Sequence, residues 1–359
     1  MPVLSVTQDS GVVYRDDLAI DIKYEPTSLN TYKVVSPGDY IISLRSFQGG
    51  FERSDLEGIV SPAYTVFNFV SSEDQDGGYW STYFKTYRFI ESLKQIIFGI
   101  RDGKAISFGE FGSLLLNNPS LLEQQTIAKF FSILDNLIAA HERKCELLKK
   151  KKAYYLQQIF SQKLRFKGFT QPWQQRKLGE IAKHQYGGGT PKTSVPQNWN
   201  GRLPWIQSSD LSEESPLWVQ AHKKITQTGL NSSAAQIVPA HSIAIVNRVG
   251  VGKVALLPFS YSSSQDFVNL ADFSVDIEYA AYAVSAIMKQ KAKQTQGTSI
   301  KGVPQSEILR SNIAIPQSSD EQKAIAALCK TVDILIAAET ECESLLKKNK
   351  QFYLQKMFV

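Results

Sequence analysis

The sequence predicts an α+β fold in which two mainly β globular domains are each followed by a long helix. The first observation behind this prediction is a repeat. Residues 123–160 and 321–358 align without a gap at an offset of 198 and share 18 of 38 positions. The second is the sequence between these segments, where short alternating apolar runs are broken by turns rich in Gly, Pro and Ser. The chain therefore consists of two copies of one module, each ending in a helix.

The first globular domain is predicted over residues 1–119. Its alternating apolar runs indicate strands, and the sequence at 80–98 indicates a short helix. A weaker repeat, at an offset of 202, places Met1 opposite Leu203 of the second module. About thirty residues of the second module precede that point. We therefore expect the first domain to lack its opening strand, loop and basic residues.

The repeated segments are predicted to be two long helices, at 120–162 and 316–359. A capping box follows a proline at the start of each, and Ser319 with Gln322 forms the second box. Thirty-eight helical residues span about 57 Å at ~1.5 Å per residue, which is long for a core helix and typical of a coiled coil.

An apolar stripe with alternating steps of four and three residues runs along both helices, as in a heptad repeat. This spacing predicts that the two helices pack on each other. The residues assigned to their interface are Ile127, Phe131, Leu134, Ile138, Leu148, Tyr155, Ile325, Val332, Ile336, Leu346 and Tyr353. Lysine clusters at 149–152 and 347–350 are either solvated helix faces or contacts for DNA phosphates or a partner protein.

A basic linker is predicted at 163–173, and the second globular domain at 174–315. The linker contains Gly and Pro, which favour irregular structure. Within the second domain, the apolar run at 243–246 indicates a strand and the sequence at 279–293 indicates a helix.

Composition excludes several classes of protein. The 359 residues carry a formal net charge of +6, which favours an anionic partner without identifying it. No run approaches the ~20 apolar residues of a membrane span, and the N-terminus has no signal-peptide pattern. The three cysteines show no CxxC spacing, so disulfides and structural zinc are not expected. We expect a cytoplasmic protein that does not associate with membranes.

The sequence contains no recognisable catalytic motif. Residues 117–120 suit a helix start better than the Pro-Pro-aromatic block of adenine methyltransferases. Residues 250–253 resemble part of a P-loop, but Asn247 stands where that loop requires glycine. The four histidines show no i, i+4 pair and no nearby cysteine ligand. We therefore predict a non-catalytic chain that binds neither a metal nor a cofactor.

The second domain concentrates residues suited to binding nucleic acid. The loop at 186–192 is rich in glycine and ends in Thr-Pro-Lys, so it is either a phosphate-contacting loop or a flexible turn. The segments at 205–210, 247–250 and 296–301 supply Gln, Asn, Arg, Ser and Lys side chains, which read base edges or hold phosphates. For any single residue, an ordinary surface role remains the alternative.

In this order, and with the helix repeat, these features resemble the specificity subunits of type I restriction-modification systems over nearly the whole chain. Both proline-led helices carry EQ, IA and YLQ, with LD in the first helix and VD in the second. The other segments that carry the resemblance are Gln175–Glu180, Gly188–Pro191, Gly297–Gly302, Leu44–Phe51 and Gly58–Tyr64.

The resemblance implies two target-recognition domains that each read half of a bipartite site on double-stranded DNA. It also implies that the two long helices form an antiparallel coiled coil, which fixes the spacing of the two readers. Methylation and cleavage would reside in partner modification and restriction subunits, which would use S-adenosylmethionine, ATP and Mg²⁺. The DNA-binding candidates transferred from the resemblance are Lys192, Gln207, Arg248, Gln296, Ser299 and Lys301, with Arg45, Ser46, Gln48 and Lys104 in the first domain.

An alternative function is that of a coiled-coil adaptor or inactive remnant whose shortened first domain no longer reads DNA. Regional charge bears on this choice, because residues 1–122 hold 10 basic and 15 acidic side chains while residues 174–315 hold 14 and 9. The second domain is therefore expected to dominate DNA binding.

Overall fold

The computed structural model describes residues 1–7, 10–18, 26–43, 50–71, 73–93, 108–295 and 302–358. The chain divides into two compact units. Unit 1 comprises Met1–Arg143 and Glu341–Val359, and unit 2 comprises Lys144–Thr340. Each unit contains a sheet-rich region and part of each long helix, which confirms the predicted α+β fold. The unit borders lie within the helices, so the domain boundaries drawn from the sequence stay predictions.

Strands occur in both sheet-rich regions. Those of unit 1 are β1 (Leu4–Thr7), β2 (Gly11–Tyr14), β3 (Lys33–Val35), β4 (Tyr40–Ser43), β5 (Phe51–Arg53), β6 (Gly58–Val60) and β7 (Tyr64–Phe67). Those of unit 2 are β8 (Gln174–Lys177), β9 (Ala182–Tyr186), β10 (Trp199–Ile206), β11 (Lys223–Ile225), β12 (Ser242–Val246), β13 (Val254–Leu257), β14 (Ser262–Ser263), β15 (Phe267–Phe273) and β16 (Asn312–Ile315).

Helices accompany the strands in each unit. The helices are α1 (Gly77–Tyr83), α2 (Tyr87–Leu93), α3 (Phe108–Gly112), α4 (Leu121–Phe160), α5 (Leu178–Ile181), α6 (Gln227–Asn231), α7 (Ile277–Thr295), α8 (Gln305–Leu309) and α9 (Ser319–Lys356). The long helices α4 and α9 match the two repeated segments. No helix in the described part of the chain is long and apolar enough to cross a membrane.

Unit 2 is built on an antiparallel sheet with strand order β13-β12-β15-β9. Ile243, Ile245 and Leu270 of this sheet are fully buried and pack in one core with Tyr282 and Val284 of α7. A second sheet has the order β11-β10-β14, in which β10 and β14 are parallel. Strand β16 pairs with β8. Strand β12 is buried on both faces, since Ile243 and Ile245 pack in one core and Ala244 and Val246 pack in another.

Unit 1 repeats part of this plan. Its sheet β5-β4-β7 has the same antiparallel order as β13-β12-β15, and α1 follows it as α7 follows β15. Its core is aromatic, with the Phe51 and Phe84 rings 5.0 and 4.9 Å from the ring of Phe89. Phe131 of α4 and Phe358 belong to the same core. The repeat in the sequence therefore corresponds to a repeat in topology.

The long helices pack antiparallel within each unit. In unit 1, Lys350 pairs with Asp135 and Lys347 with Glu142. In unit 2, Lys144 pairs with Glu339 at 2.6 Å, and Lys152 with Asp333. One residue number falls as the other rises, so the helices run in opposite directions. Of the predicted interface residues, those at 9% exposure or less are Ile127, Phe131, Leu134, Ile138, Ile325 and Ile336. Leu148, Val332 and Leu346 are half-buried.

Tyr155 and Tyr353 are less buried than the heptad stripe predicts, each with 38% of its surface exposed. The Tyr353 ring still contacts α4, since its centroid lies 5.0 Å from that of Phe130. The placement of Tyr155 in the helix core is corrected, because Leu156 packs against that core instead. A straight α-helix repeats every 3.6 residues rather than 3.5, so the buried stripe drifts by one position towards its end.

A glutamine near the start of each long helix holds a neighbouring helix in the same unit. Gln124 is fully buried, accepts the backbone N–H of Asp76 at 2.9 Å and donates to the Pro119 carbonyl at 2.9 Å. Gln322 accepts the N–H of Asp276 and donates to the Pro316 carbonyl, both at 2.8 Å. Each aspartate in turn caps its own helix, α1 or α7.

The contacts of Gln322 correct the capping box that was predicted from Ser319 and Gln322. The hydroxyl nearest the first turn of α9 is that of Ser318, which accepts from Glu321 N at 3.5 Å. The cap therefore lies one residue before the predicted Ser319. The sequence pattern fits either serine, and the contact between Gln322 and Asp276, distant in sequence, selects between them.

We expect Gln124→Ala to lower the free energy of unfolding by about 1–3 kcal/mol, because it leaves the part-buried Asp76 N–H and Pro119 carbonyl without this partner. The adjacent Gln125 is exposed on the same helix, so Gln125→Ala is the control and should cost less than about 0.5 kcal/mol. Urea denaturation of both variants measures the difference. Equal stability of the two would show that the buried glutamine does not hold the helices together.

Candidate nucleic-acid interface

The structure describes three of the predicted DNA-binding residues, and all three lie in unit 2. Lys192 and Arg248 are exposed and Gln207 is half-buried. The other predicted DNA contacts lie outside the described residues; these are Arg45, Ser46, Gln48, Lys104, Gln296, Ser299 and Lys301. Lys192, Gln207 and Arg248 therefore define the part of the predicted interface that the structure describes.

The glycine-rich loop at 187–192 packs against the protein itself. A Cβ atom at Gly188 would lie 1.8 Å from the carbonyl oxygen of Ser264, and one at Gly189 would lie 2.4 Å from the Ala234 carbonyl carbon. The Gly189 N–H donates to Ser263 O at 2.8 Å. These two glycines thus serve close backbone packing, a role that neither sequence interpretation included. Gly187 differs from them, because a Cβ atom there would have nothing within 4 Å.

Two tryptophans fix this loop to strand β10. Trp205 is 3% exposed and its indole N–H donates to Gly189 O at 2.9 Å. Trp199 donates to the Lys192 carbonyl at 3.3 Å. The two rings meet edge to face, with centroids 5.2 Å apart. The backbone of Lys192 is therefore held in place while its ammonium group faces solvent.

Lys223 on β11 lies over both tryptophans. Its Nζ is 5.8 Å from the Trp199 ring centroid and 5.7 Å from that of Trp205, which is cation–π geometry. The same Nζ lies 3.4 Å from Gln207 Oε1. Lys223 was not predicted from the sequence. The pattern that could have identified it is the Lys-Lys pair at 223–224, on a strand that pairs with β10, which carries both tryptophans.

Gln207 begins a tight turn after β10. Its N–H donates to Asp210 Oδ2 at 3.0 Å, and its side-chain amide donates to Ser209 Oγ at 3.0 Å. Asp210 is 4% exposed and also contacts His222 Nδ1 at 2.8 Å. The buried carboxylate therefore positions the turn and is not offered to a ligand.

The loop that carries Arg248 packs beside this turn. Gly250 and Gly252 have φ of 89° and 105°, a left-handed conformation that favours glycine. A Cβ atom at Gly250 would lie 3.4 Å from Ser208 Cβ. The Val303 N–H donates to Asn247 O at 2.8 Å, which ties residue 303 to the same loop.

Lys192, Trp199, Lys223, Gln207 and Arg248 thus form a connected surface of unit 2, here called the polar strip. Within the described residues, the charged groups of Lys192 and Arg248 form no ion pair or hydrogen bond. Unpaired cations beside an amide and an aromatic edge are groups that hold phosphates and read base edges.

The helix lysines serve a different purpose. Lys149 pairs with Glu214 at 2.7 Å, Lys347 with Glu142 at 2.8 Å and Lys350 with Asp135. Lys152 is 8% exposed and pairs with Asp333. Lys152 is therefore internal and fits neither sequence interpretation, whereas the pairs of Lys149, Lys347 and Lys350 are largely exposed and fit a solvated helix face. Lys150, Lys151 and Lys348 remain exposed and form no ion pair among the described residues.

Across the described ranges, no group of three or more His, Cys, Asp or Glu side chains is placed to hold a metal ion.

Residues 170–348 match the family model of the type I restriction modification DNA specificity domain. The Escherichia coli type I restriction enzyme EcoR124I/EcoR124II specificity subunit is 29% identical over 236 residues.

Residues 170–348 of this chain belong to the family of type I restriction modification DNA specificity domains.

The matches to curated specificity subunits are partial. The Escherichia coli match covers 63% of this chain and 56% of that protein. The MjaIX specificity subunit of Methanocaldococcus jannaschii is 28% identical over 178 residues, which is 48% of this chain and 39% of that protein. The chain thus spans about half or less of the length of these relatives.

Solved specificity-subunit structures share the fold. The S subunit from M. genitalium has a TM-score of 0.59 at 13% identity, covering 91% of this chain and 84% of that one. A structure describing complex assembly and conformational transition of a type I R-M system gives a TM-score of 0.59 at 19% identity, with 91% and 83% covered. At these identities the likeness concerns the fold alone.

Proposed function

We propose that this chain is the subunit that reads double-stranded DNA in a type I restriction-modification complex. The polar strip of unit 2 carries the proposal, because it presents on one surface an amide, an aromatic edge and cations that form no ion pair among the described residues. Cations supply salt-dependent affinity for phosphates, while amide and guanidinium groups discriminate bases. The family relationship supports the same assignment.

Methylome sequencing tests the proposal most directly. Cells that carry this chain and its modification partner should methylate a bipartite motif, and the motif should disappear when the chain is deleted. A sequence preference that persists without the chain would contradict the proposal. If the chain is required for complex assembly but the complex binds all sequences equally, the chain acts as a coiled-coil adaptor instead.

We expect Arg248→Ala to weaken binding to the methylated motif by about 1–3 kcal/mol, because a guanidinium contact to a base or phosphate is lost. The matched control is Lys183→Ala, which removes one positive charge from β9 at a side chain that pairs with Asp272 at 3.0 Å. Fluorescence anisotropy of the assembled complex on labelled duplex, over a range of salt, measures both variants. Equal losses would mean that only net charge matters.

We further propose that modification subunits dock on apolar side chains exposed on both helices. The repeat places equivalent sets in each unit: Leu137, Leu345, Phe352 and Tyr353 in unit 1, and Leu335, Leu147, Tyr154 and Tyr155 in unit 2. All eight are between 38% and 58% exposed. Exposed apolar side chains grouped on a helix mark protein interfaces. Two equivalent sets suit two copies of one partner.

Methylation and cleavage of DNA would be carried out by the modification and restriction subunits rather than by this chain. Modification subunits would bind S-adenosylmethionine, and restriction subunits would bind ATP and Mg²⁺. This chain would supply the DNA sequence specificity. Its long helices would carry the DNA-binding region of unit 2 and the sheet-rich region of unit 1. Purified complex lacking the modification subunit should therefore transfer no methyl group to DNA.

A further inference from the structure

A segment that precedes the second sheet-rich region packs against the first turn of α9 in unit 2. Glu321 is 1% exposed and accepts from Arg165 Nε at 2.6 Å and Nη2 at 2.8 Å. The Trp173 indole N–H donates to the same carboxylate at 3.1 Å. One arginine and one tryptophan, eight residues apart, thus satisfy a buried carboxylate.

Packing and backbone pairing complete this arrangement in unit 2. Trp173 is 8% exposed and meets the Tyr279 ring edge to face, with centroids 6.3 Å apart. The next residues form β8, which pairs with β16 in antiparallel register. The segment from Arg165 to Lys177 therefore inserts two side chains and adds a strand.

Unit 1 has the same carboxylate without these partners. Glu123 is the repeat equivalent of Glu321, yet it is exposed and forms no ion pair among the described residues. It borders a cavity of about 320 Å³ that is also lined by Tyr79, Ile127 and Phe358. Tyr79 follows its capping aspartate by three residues, as Tyr279 does in unit 2.

Arg88 also lines this cavity, and its Nη1 is directed at the Phe358 carbonyl, at 3.5 Å. Among the described residues Arg88 forms no ion pair with Glu123, so the carboxylate has room in this part of the chain for a second cation.

Residues 114–116 of unit 1 precede α4 as β16 precedes α9 in unit 2, and they are not paired in a strand. Leu114 and Leu116 are partly buried in the core while Leu115 is fully exposed, which is the alternation of a strand. In β16 the same alternation buries Ile313 and Ile315. Within the described part of unit 1, the backbone groups of Leu115 and Leu116 form no hydrogen bond. Unpaired groups on an extended edge accept a further strand.

We propose that unit 1 binds an extended basic and aromatic segment of another polypeptide, with an arginine on Glu123, a tryptophan in the adjacent cavity and a strand along Leu114–Leu116. The filled copy in unit 2 defines the chemistry of the occupant as Arg and Trp eight residues apart, followed by a short polar strand. Strand addition supplies affinity through the backbone, and the two side chains supply specificity. This site is separate from the polar strip and does not depend on DNA reading.

A peptide with the sequence of residues 161–177, SQKLRFKGFTQPWQQRK, is the probe. Its fluorescently labelled form is titrated with the full-length chain, and anisotropy is recorded. The internal copy stays in place in unit 2, because an intramolecular segment has a far higher effective concentration than the added peptide. We expect saturable binding at one site.

Charge and shape are tested separately. Glu123→Gln should weaken binding at least about tenfold, equivalent to ~1.4 kcal/mol. Glu146→Gln should leave binding unchanged, since it removes the same charge from an exposed position of α4. Peptides with Arg165→Ala or Trp173→Ala should also bind at least about tenfold more weakly. Absence of saturable binding, or equal binding by Glu123→Gln and Glu146→Gln, would overturn the proposal. Equal binding of a scrambled peptide would do the same, because it would indicate attraction by charge alone.

Discussion

Asp333→Ala is expected to lower the free energy of unfolding by about 3–5 kcal/mol, because it leaves the buried Lys152 without its negatively charged partner. Lys152 and Asp333 are 9% and 2% exposed at their side chains. Lys152 otherwise reaches the Glu214 carbonyl and lies 5.9 Å from the Tyr282 ring centroid. Neither partner carries a full negative charge, so the ammonium group would remain uncompensated.

Tyr282 adds to this effect. Burial raises the pKa of its hydroxyl above the ordinary value, so the group stays protonated and donates to Asp333 Oδ2 at 2.7 Å. Removing the carboxylate therefore also leaves a buried hydroxyl without its acceptor, which adds to the cost.

The repeat supplies a matched control for this prediction. Asp135 and Lys350 occupy the equivalent positions in unit 1, but their side chains are 55% and 31% exposed. Asp135→Ala should cost less than about 1 kcal/mol, because water replaces the lost partner. Urea denaturation followed by circular dichroism compares the two variants.

A double variant, Lys152→Met with Asp333→Leu, separates charge from packing. It should recover most of the stability lost in Asp333→Ala, since apolar groups can replace a buried pair at little cost. Comparable losses in Asp333→Ala and Asp135→Ala would show that burial does not set the strength of this pair.

Gly188→Ala is expected to lower the free energy of unfolding of unit 2 by about 3 kcal/mol, the upper end of the usual cost of overpacking. It is also expected to weaken DNA binding. The added Cβ would lie 1.8 Å from Ser264 O and 2.7 Å from Ser263 Oγ. Ser264 cannot move freely, because its N–H donates to Ile206 O at 3.0 Å. The loop must shift instead, and it carries the acceptor of Trp205 and the backbone of Lys192.

Gly187→Ala is the control, since nothing lies within 4 Å of its added Cβ. It should change stability by less than about 0.5 kcal/mol. Thermal denaturation and anisotropy on the same DNA measure both effects. If Gly187→Ala proved as harmful as Gly188→Ala, the glycines would serve flexibility or ligand approach rather than packing.

The repeat made most of the architecture predictable. Eighteen identities in 38 aligned positions located both helices, and α4 and α9 begin within three residues of the predicted starts. The helix at 279–293 falls within α7. These predictions succeed because caps, periodicity and repeats are local properties of the sequence.

The candidate site was predictable only in part. Lys192, Gln207 and Arg248 were singled out by residue type, and the structure connects the turn at Gln207 to the loop of Arg248 through Ser208 and Gly250. Lys223 was missed, because its importance comes from Trp199 and Trp205 on the paired strand rather than from its neighbours in sequence.

The repeat alone established that the molecule has two modules, that each ends in a long helix and that the helices pack on each other. Which charges are internal depends instead on tertiary packing. Lys152 and Lys350 are identical in the repeat and both face an aspartate, yet one pair is buried and the other exposed. The physical reason is that desolvation depends on everything packed around a pair, including Glu214 and Tyr282, which lie far from Lys152 in sequence.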